Sequence, residues 1–535
     1  MTGGRQALAL LPFRAAVAAV VSTRRAGRGR RASPEEFHTG GRLSSPVENG
    51  FVLAGDHLPV AALLGVAGLI ALHGHGAPAH SVGFLAAWPV VLLVAESVRN
   101  CGRFTLADVV AARLRERSLR IAVGISSVTV SVLHLAAQTV AACGLVALLP
   151  GGTGVRACVV GVGALAAVLV ARGGMRATTR AQAVAAVLLL AGFGTLTVLV
   201  LLRHGGDPGA LVTAAAERGG HGSAIPVPGP AGGLEPIART DLLALGVALV
   251  LGAAGLPHLL ARFVTVPTAR AARRSVVWAT GLSGALHLAA VVLGLGAAAL
   301  VGPDAVRALG DSGNAAVPLL ALDLGGGAGS TGGAVLCAVV VALAFAAVLA
   351  TVAGVTLVCS TAVAHDLAHD PYASFPRRRR RGRRPRSARN EVAVARAAVP
   401  VVGAFAVALG LLARETNPVF LVGLAFAVAA SAHLPVLLYA LFWRRFTARG
   451  ALWAVYGGLV AAVVPTVLSP LVSGGPQALL PQWDFAVLPL RNPGPVSVPL
   501  GFLAGWLGTL LSPKPPDGVR YAETEVRALT GAGAA

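Results

Sequence analysis

At 535 residues, with 55% hydrophobic side chains, 12% charged ones and a mean hydropathy of +0.75, the chain cannot be an ordinary soluble protein, in which charged residues run near one quarter. Long apolar runs also exclude an outer-membrane barrel, whose strands alternate. The formal charge of +22 would suggest nucleic acid in a soluble chain, so the placement of the charges has to decide what they mean. Five Cys, at 101, 143, 158, 337 and 359, form no CxxC or Cys/His spacing and read as small packing residues.

A bilayer core about 30 Å thick needs roughly 20 apolar residues per helix. Thirteen stretches answer to that length, at 7–22, 51–73, 81–98, 121–149, 154–171, 181–202, 241–261, 275–301, 334–364, 394–413, 418–442, 450–470 and 495–511. The first is short and carries Arg14; the RRAGRGRR run that follows it resists export and favours a retained helix over a cleaved signal. With the N-terminus outside, 35 of the 44 Lys and Arg fall on the cytoplasmic connections and the C-terminal tail. The positive-inside rule therefore selects N-out, C-in, in the plasma membrane. The same placement explains the basic balance without nucleic acid, by charge set against anionic lipid heads. The RRRRRGRRPR run at Arg377 to Arg386 reads mainly as topological, with a regulatory lipid-binding role as the alternative.

Polar residues inside spans are costly in hydrocarbon, so each is a functional hypothesis. In the second span, Asp56 and His57 lie between Gly55 and Pro59, a composition that breaks the helix ladder and exposes carbonyls. An acid there suggests an ion or proton site, against the plainer reading of a partly hydrated Asp or a helix cap. In the fourth span, residues 127, 131, 134 and 138 (Ser127, Ser131, His134 and Gln138) recur at helical spacing as one polar stripe. Interhelical hydrogen bonding would account for it equally. The seventh span is interrupted by Gly252, Gly255 and Pro257 just before His258 and Arg262, as expected of a discontinuous transporter helix. His258 and Arg262 read as packing or gating residues. In the ninth span, Gly354 and Ser360 read as packing residues, while Thr351 offers the oxygen ligand a hard cation takes. No nucleophile-plus-base pattern, phosphate loop or HExxH occurs, so the chain reads as no enzyme, without a cofactor.

The stretches AGLPHLLARFVTVPTARAARRSVVWATG at 254–281, VAESVRNCGRFTLADVVAARLR at 94–115, ARGGMRATTRAQAVAAVLLLAG at 171–192 and FLVGLAFAVAASAHLPVLLYALFWRRFTARGA at 420–451 resemble the sodium:solute symporters, and within them the cation/acetate (monocarboxylate) branch. GNAAVPLLA at 313–321, STAVAHDL at 360–367 and LRNPGPVSVPLGFLAGWLGTLLS at 490–512 add to the match, which runs from about residue 40 to 511. The resemblance implies an all-α membrane fold with a leucine-transporter-like core of two inverted five-helix repeats, 51–202 and 241–442. A tail with the weak first helix and a basic loop (1–50) precedes the core; two helices (443–511) and a cytoplasmic tail (512–535) follow it.

It further implies a coupling cation, Na+ or H+, held by the carbonyls of Gly55 and Leu58 and by the positions Ala350 and Thr351. Proton coupling would rest on Asp56, His57 and His134, and the substrate would lie near Gln138, Gly252 and Gly255. Of the usual hydroxyl pair in the ninth span only Thr351 is present; where the branch reads close to GDYMSAASFLG this chain has GDHLPVAALLG, and His134 replaces a common Tyr. The implied function is cation-coupled import of a short-chain monocarboxylate such as acetate, propionate or pyruvate by alternating access. The alternatives are a symporter for a different small solute, or a transporter-fold sensor that binds without transporting. Protein partners are not identified by any motif.

Overall fold

The computed structural model describes residues 18, 22, 33–57, 59–74, 78–147, 155–218, 236–310, 313–368, 388–413, 416–475, 478–513 and 515–533. All but two residues of the expected first span, together with Leu58 and the Arg377 to Arg386 run, lie outside these. Among the described residues there is helix and no strand, as hydrocarbon demands of a backbone that must satisfy itself.

The helices that matter for the site are α1 (Pro34–Thr39), α2 (Pro46–His57), α3 (Val60–His73), α4 (Trp88–Cys101), α5 (Leu106–Ala111), α6 (Arg117–Ala147), α7 (Val155–Arg203), α8 (Pro236–Gly252), α9 (Pro257–Phe263), α10 (Ala269–Gly296), α11 (Thr331–Thr361), α12 (Ala388–Leu412), α13 (Pro418–Val428), α14 (Leu434–Phe442), α15 (Ala448–Val467), α16 (Gly494–Leu510) and α17 (Gly518–Thr530). Among the described residues, eight helical stretches are long and apolar enough to cross a membrane. Two further pairs pass the same test only when joined across a break, and α16 is apolar but shorter. The described part of every expected stretch from the second to the thirteenth lies mainly in helix.

Both anticipated breaks are present. The second span is α2 and α3, inclined by 52° and restarted at Pro59. The seventh is the helix ending at Gly255 followed by α9, inclined by 40°. Proline explains the restart in each case, because it has no N–H to give and disfavours helix in the residue before it.

The fifth and sixth spans are not separated by a loop, contrary to the sequence expectation. They form the single 49-residue α7, which if straight would run about 74 Å, more than twice the bilayer core. It is broken at Gly174, which sits at φ 54° and ψ −153°, a left-handed position open to glycine. A Cβ there would also lie 2.9 Å from the Phe37 carbonyl of α1. One residue therefore replaces the expected connection.

Glycines set the packing elsewhere. α15 and α16 lie along each other through Gly450 against Gly505 and Thr509, and through Gly508 against Trp453, the small-residue contact that brings membrane helices close. The span made of α13 and α14 bulges through a π-helical turn at Ala429–His433. There the Ser431 carbonyl is met by Gly458 and Gly501.

Candidate functional site

The two broken spans meet α7 in the middle of the helix bundle around a fully buried ion pair. Arg262 in α9 donates from Nε to Asp56 Oδ2 at 2.7 Å, and both side chains are excluded from solvent. Gln182 of α7 closes a ring: its Nε2 donates to Asp56 Oδ1, and its Oε1 accepts from Arg262 Nη2. Arg262 Nη1 donates to Thr179 at 3.1 Å and lies 3.0 Å from the Met175 sulfur. The break at Gly174 starts the helical face that carries Met175, Thr179 and Gln182. Four and three residues apart, these align on one side of α7.

Asp56 was expected as a candidate proton carrier, and the structure places it as the counter-charge of Arg262. Arg262 is buried, as are Arg99, Arg113 and Arg120. Gln182 and Thr179 were not anticipated. The available signal was a glutamine inside an otherwise apolar run, but the partner lies 126 residues away in sequence.

Gly354 of α11 backs this knot. A Cβ there would come within 2.8 Å of both Arg262 Nη2 and Gln182 Nε2. Ala350 and Thr351 precede it by one turn on the same face, both buried. The structure thus brings the expected ninth-span cation residues to one side of the ion pair. Gly55, adjoining Asp56, lies close to Ala186 of α7. Gly252 and Gly255 are pressed against the Phe426 and Ala429 carbonyls, and the Gly255 carbonyl accepts from His433 Nδ1 at 2.7 Å. The break in the seventh span is therefore seated on α13 and its bulge, with Ser126 2.6 Å from the other nitrogen of His433.

His57, at the end of α2, donates from Nε2 to the Phe84 carbonyl at 2.7 Å. Its ring packs on Trp88, Phe84 and Phe426, with centroids 4.6, 5.8 and 5.8 Å away. His134 and His258 face each other at 4.5 Å between ring centroids. One turn along α6 from His134 comes Gln138. All three are fully buried; the side-chain nitrogen and oxygen atoms of His134 and Gln138 have no hydrogen-bond partner, and His258 faces the Asp56 backbone. A shallow crevice beside Gln138 is walled by Leu135, Val352 and Thr356.

A second polar cluster lies at the end of the bundle that carries the basic connections. Arg120 donates to Asp108 at 2.8 Å and to Asp366 at 3.0 Å. His365 stands 3.0 Å from Asp108 and 2.8 Å from Glu391. Thr105 donates to Asp366 at 2.9 Å, and the backbone N–H groups of Phe104 and Thr105 donate to Asp108. His38 of α1 joins Thr361 at 2.9 Å and Glu391 at 3.5 Å. Burial alone would raise the Asp108 carboxyl, but His365 and Arg120 hold it well below the usual range. Burial pushes His38 the other way, below the ordinary imidazole value, against the pull of Glu391. Asp108, His365 and Asp366 present ligand atoms within 4.8 Å of one another. Arg120 already bridges the two carboxylates, so a metal would have to displace it.

At the same end, Arg113 donates to five carbonyls between Tyr439 and Phe446. It closes the C-terminus of α14, where last-turn carbonyls lack partners. Tyr521 of α17 covers its guanidinium at 4.7 Å.

The sodium:solute symporter family model matches residues 37–458. A monocarboxylic acid transporter of Corynebacterium glutamicum is 44% identical over 514 residues, covering 93% of this chain and 90% of the relative. A symporter of Bacillus subtilis, YwcA, whose name carries no substrate, is 40% identical over 504 residues and covers 94% of each. Among solved structures, a substrate-bound outward-open Na+-coupled sialic acid symporter superposes with a TM-score of 0.69 at 13% identity, covering 96% of this chain and 99% of that one. The nucleobase-cation-symport transporter Mhp1 in a closed conformation gives 0.51 at 13% identity, over 93% and 99%. The fold is that of the leucine-transporter-like carriers, as the resemblance implied.

Proposed function

The chain belongs to the sodium:solute symporter family, and from that premise we propose that it imports a short-chain monocarboxylate, such as acetate, propionate or pyruvate, together with Na+ or H+ by alternating access. As a member it is a multi-pass membrane carrier rather than an enzyme. The observation that carries the substrate class is the 44% identity, over nearly the whole chain, to a protein named for monocarboxylic acid transport. The basic connections mark the cytoplasmic face, giving an outer N-terminus and an inner C-terminus.

The cation takes carbonyls of Gly55 and Leu58 and the Thr351 hydroxyl beside Ala350; in the proton version Asp56, His57 and His134 carry the charge. Substrate lies by Gln138, beneath the break at Gly252 and Gly255, and Pro257, His258 and Arg262 form the hinge that opens it. Cation binding that favours anion binding is necessarily reciprocal. One monovalent cation per monovalent anion makes the cycle electroneutral, so a potential-driven current would require extra cations.

The test is labelled acetate uptake into proteoliposomes under a sodium gradient, a pH gradient or neither, corrected for acid crossing protein-free lipid. Accumulation driven by either gradient supports the reading and identifies the ion. In the sodium case, Thr351→Ala weakens the sodium dependence. Absence of protein-dependent uptake of acetate, propionate and pyruvate sinks the substrate assignment.

A further inference from the structure

One face of α6 gathers several of the unpaired polar atoms of the described interior. Both ring nitrogens of His134 and the amide nitrogen and oxygen of Gln138 are buried without a hydrogen-bond partner, while His258 beside them faces the Asp56 backbone. Buried polar groups in folded proteins are paired almost without exception, and a group that is not calls for an explanation. Isolated lapses are scattered through any structure. Here the two imidazoles touch at 4.5 Å, and Gln138 follows His134 at the four-residue spacing that puts both on one face of α6.

The three side chains also sit where a continuous helix meets a broken one. His134 and Gln138 belong to the continuous helix α6, while His258 rides on α9, immediately after the break at Leu256 and Pro257. Arg262, one turn along α9 from His258, is held by Asp56, Gln182 and Thr179. An anion arriving here is therefore met by neutral donors. Two imidazole N–H groups and one amide NH2 can converge on it, and a carboxylate has two oxygens with about four acceptor sites to receive them.

We propose that His134 and His258 are the carboxylate-binding pair of the transport site, with Gln138 as the third donor. This rests on the monocarboxylate reading above. The pair spans the joint between a continuous helix and the half-helix that follows a break, so a bound carboxylate ties the two together.

The experiment is exchange of labelled acetate across proteoliposomes loaded with unlabelled acetate, which needs no ion gradient. Relative to the unaltered protein, His134→Phe and His258→Leu should raise the half-saturating acetate concentration tenfold or more. His134→Tyr, which restores a donor, should return it to within about threefold. Half-saturation within twofold of the parent in both apolar variants overturns the proposal while leaving monocarboxylate transport intact. No exchange of acetate, propionate or pyruvate by the parent overturns both.

Should a variant fail to fold, the unaltered protein supplies a second measurement. Diethyl pyrocarbonate labelling, read by mass spectrometry of the peptides carrying His134 and His258, should be slowed by propionate, while labelling of His204 is not. Equal labelling with and without propionate counts against the pair.

Discussion

The mid-bundle site and the cluster at the basic end use the same residue types to opposite ends. Around Asp108, His365 and Arg120, nearly every charged atom faces an opposite charge or a donor, drawn from α1, α5, α6, α11 and α12. Around His134 and Gln138, polar atoms are equally buried and have no hydrogen-bond partner. Between them stands the Asp56, Arg262 and Gln182 ring, fully paired and fully enclosed. A satisfied network fixes one arrangement of helices, whereas an unsatisfied one is completed by something that comes and goes.

The largest effect should come from breaking the enclosed pair. Arg262→Leu leaves Asp56 charged in hydrocarbon, and losing one partner of a buried pair costs about 3–5 kcal/mol. The double change Asp56→Asn with Arg262→Gln should recover much of that loss in detergent thermal unfolding, since no lone charge remains. If the double variant is no more stable than Arg262→Leu, the pair is not what the charge needs.

The contrast between the two clusters is sharpened by a paired substitution. Asp108→Ala strips Arg120 and His365 of their shared acceptor and should lower stability by roughly 3 kcal/mol. Gln138→Leu removes atoms that have no partner, so it should leave the substrate-free protein as stable as before or more so. Equal losses in the two would erase the distinction.

Next in size is Gly354→Ala. The added Cβ would meet Arg262 and Gln182 at 2.8 Å, and overpacking of this kind costs about 1–3 kcal/mol. Transport and unfolding temperature should fall together.

The smallest effect is one of pH. His38 is held below its ordinary value by burial, in a setting faced by Glu391, His365 and Asp108. The unfolded chain therefore takes up this proton near pH 6.5 and the folded chain only at lower pH. The unfolded state binds more protons in that interval, so stability from this group falls as pH drops below about 6.5. Replacing His38 with Gln should flatten the decline of unfolding temperature between pH 7 and 5. An unchanged slope would remove His38 as its source.

Much of this architecture was legible beforehand. Hydropathy located the helices from the second span onward because bilayer thickness sets a length that composition must fill. Gly55 with Pro59, and Gly255 with Pro257, located both breaks through local backbone chemistry. The connection at 172–180 was misread as a loop, because one left-handed glycine can interrupt α7 without any polar segment. Asp56, His134 and Gln138 stood out as polar residues in apolar runs.

What the sequence determined by itself was therefore everything governed by neighbours along the chain: which segments are apolar enough to span, where their helices break and which polar residues intrude. Tertiary structure alone decided which of those intruders are matched. Asp56 finds Arg262 across 206 residues, while His134 finds His258 and no hydrogen bond. The physical reason is that burial makes every polar atom costly, but only the packing of distant helices decides whether an opposite charge, a donor or an empty face stands opposite it.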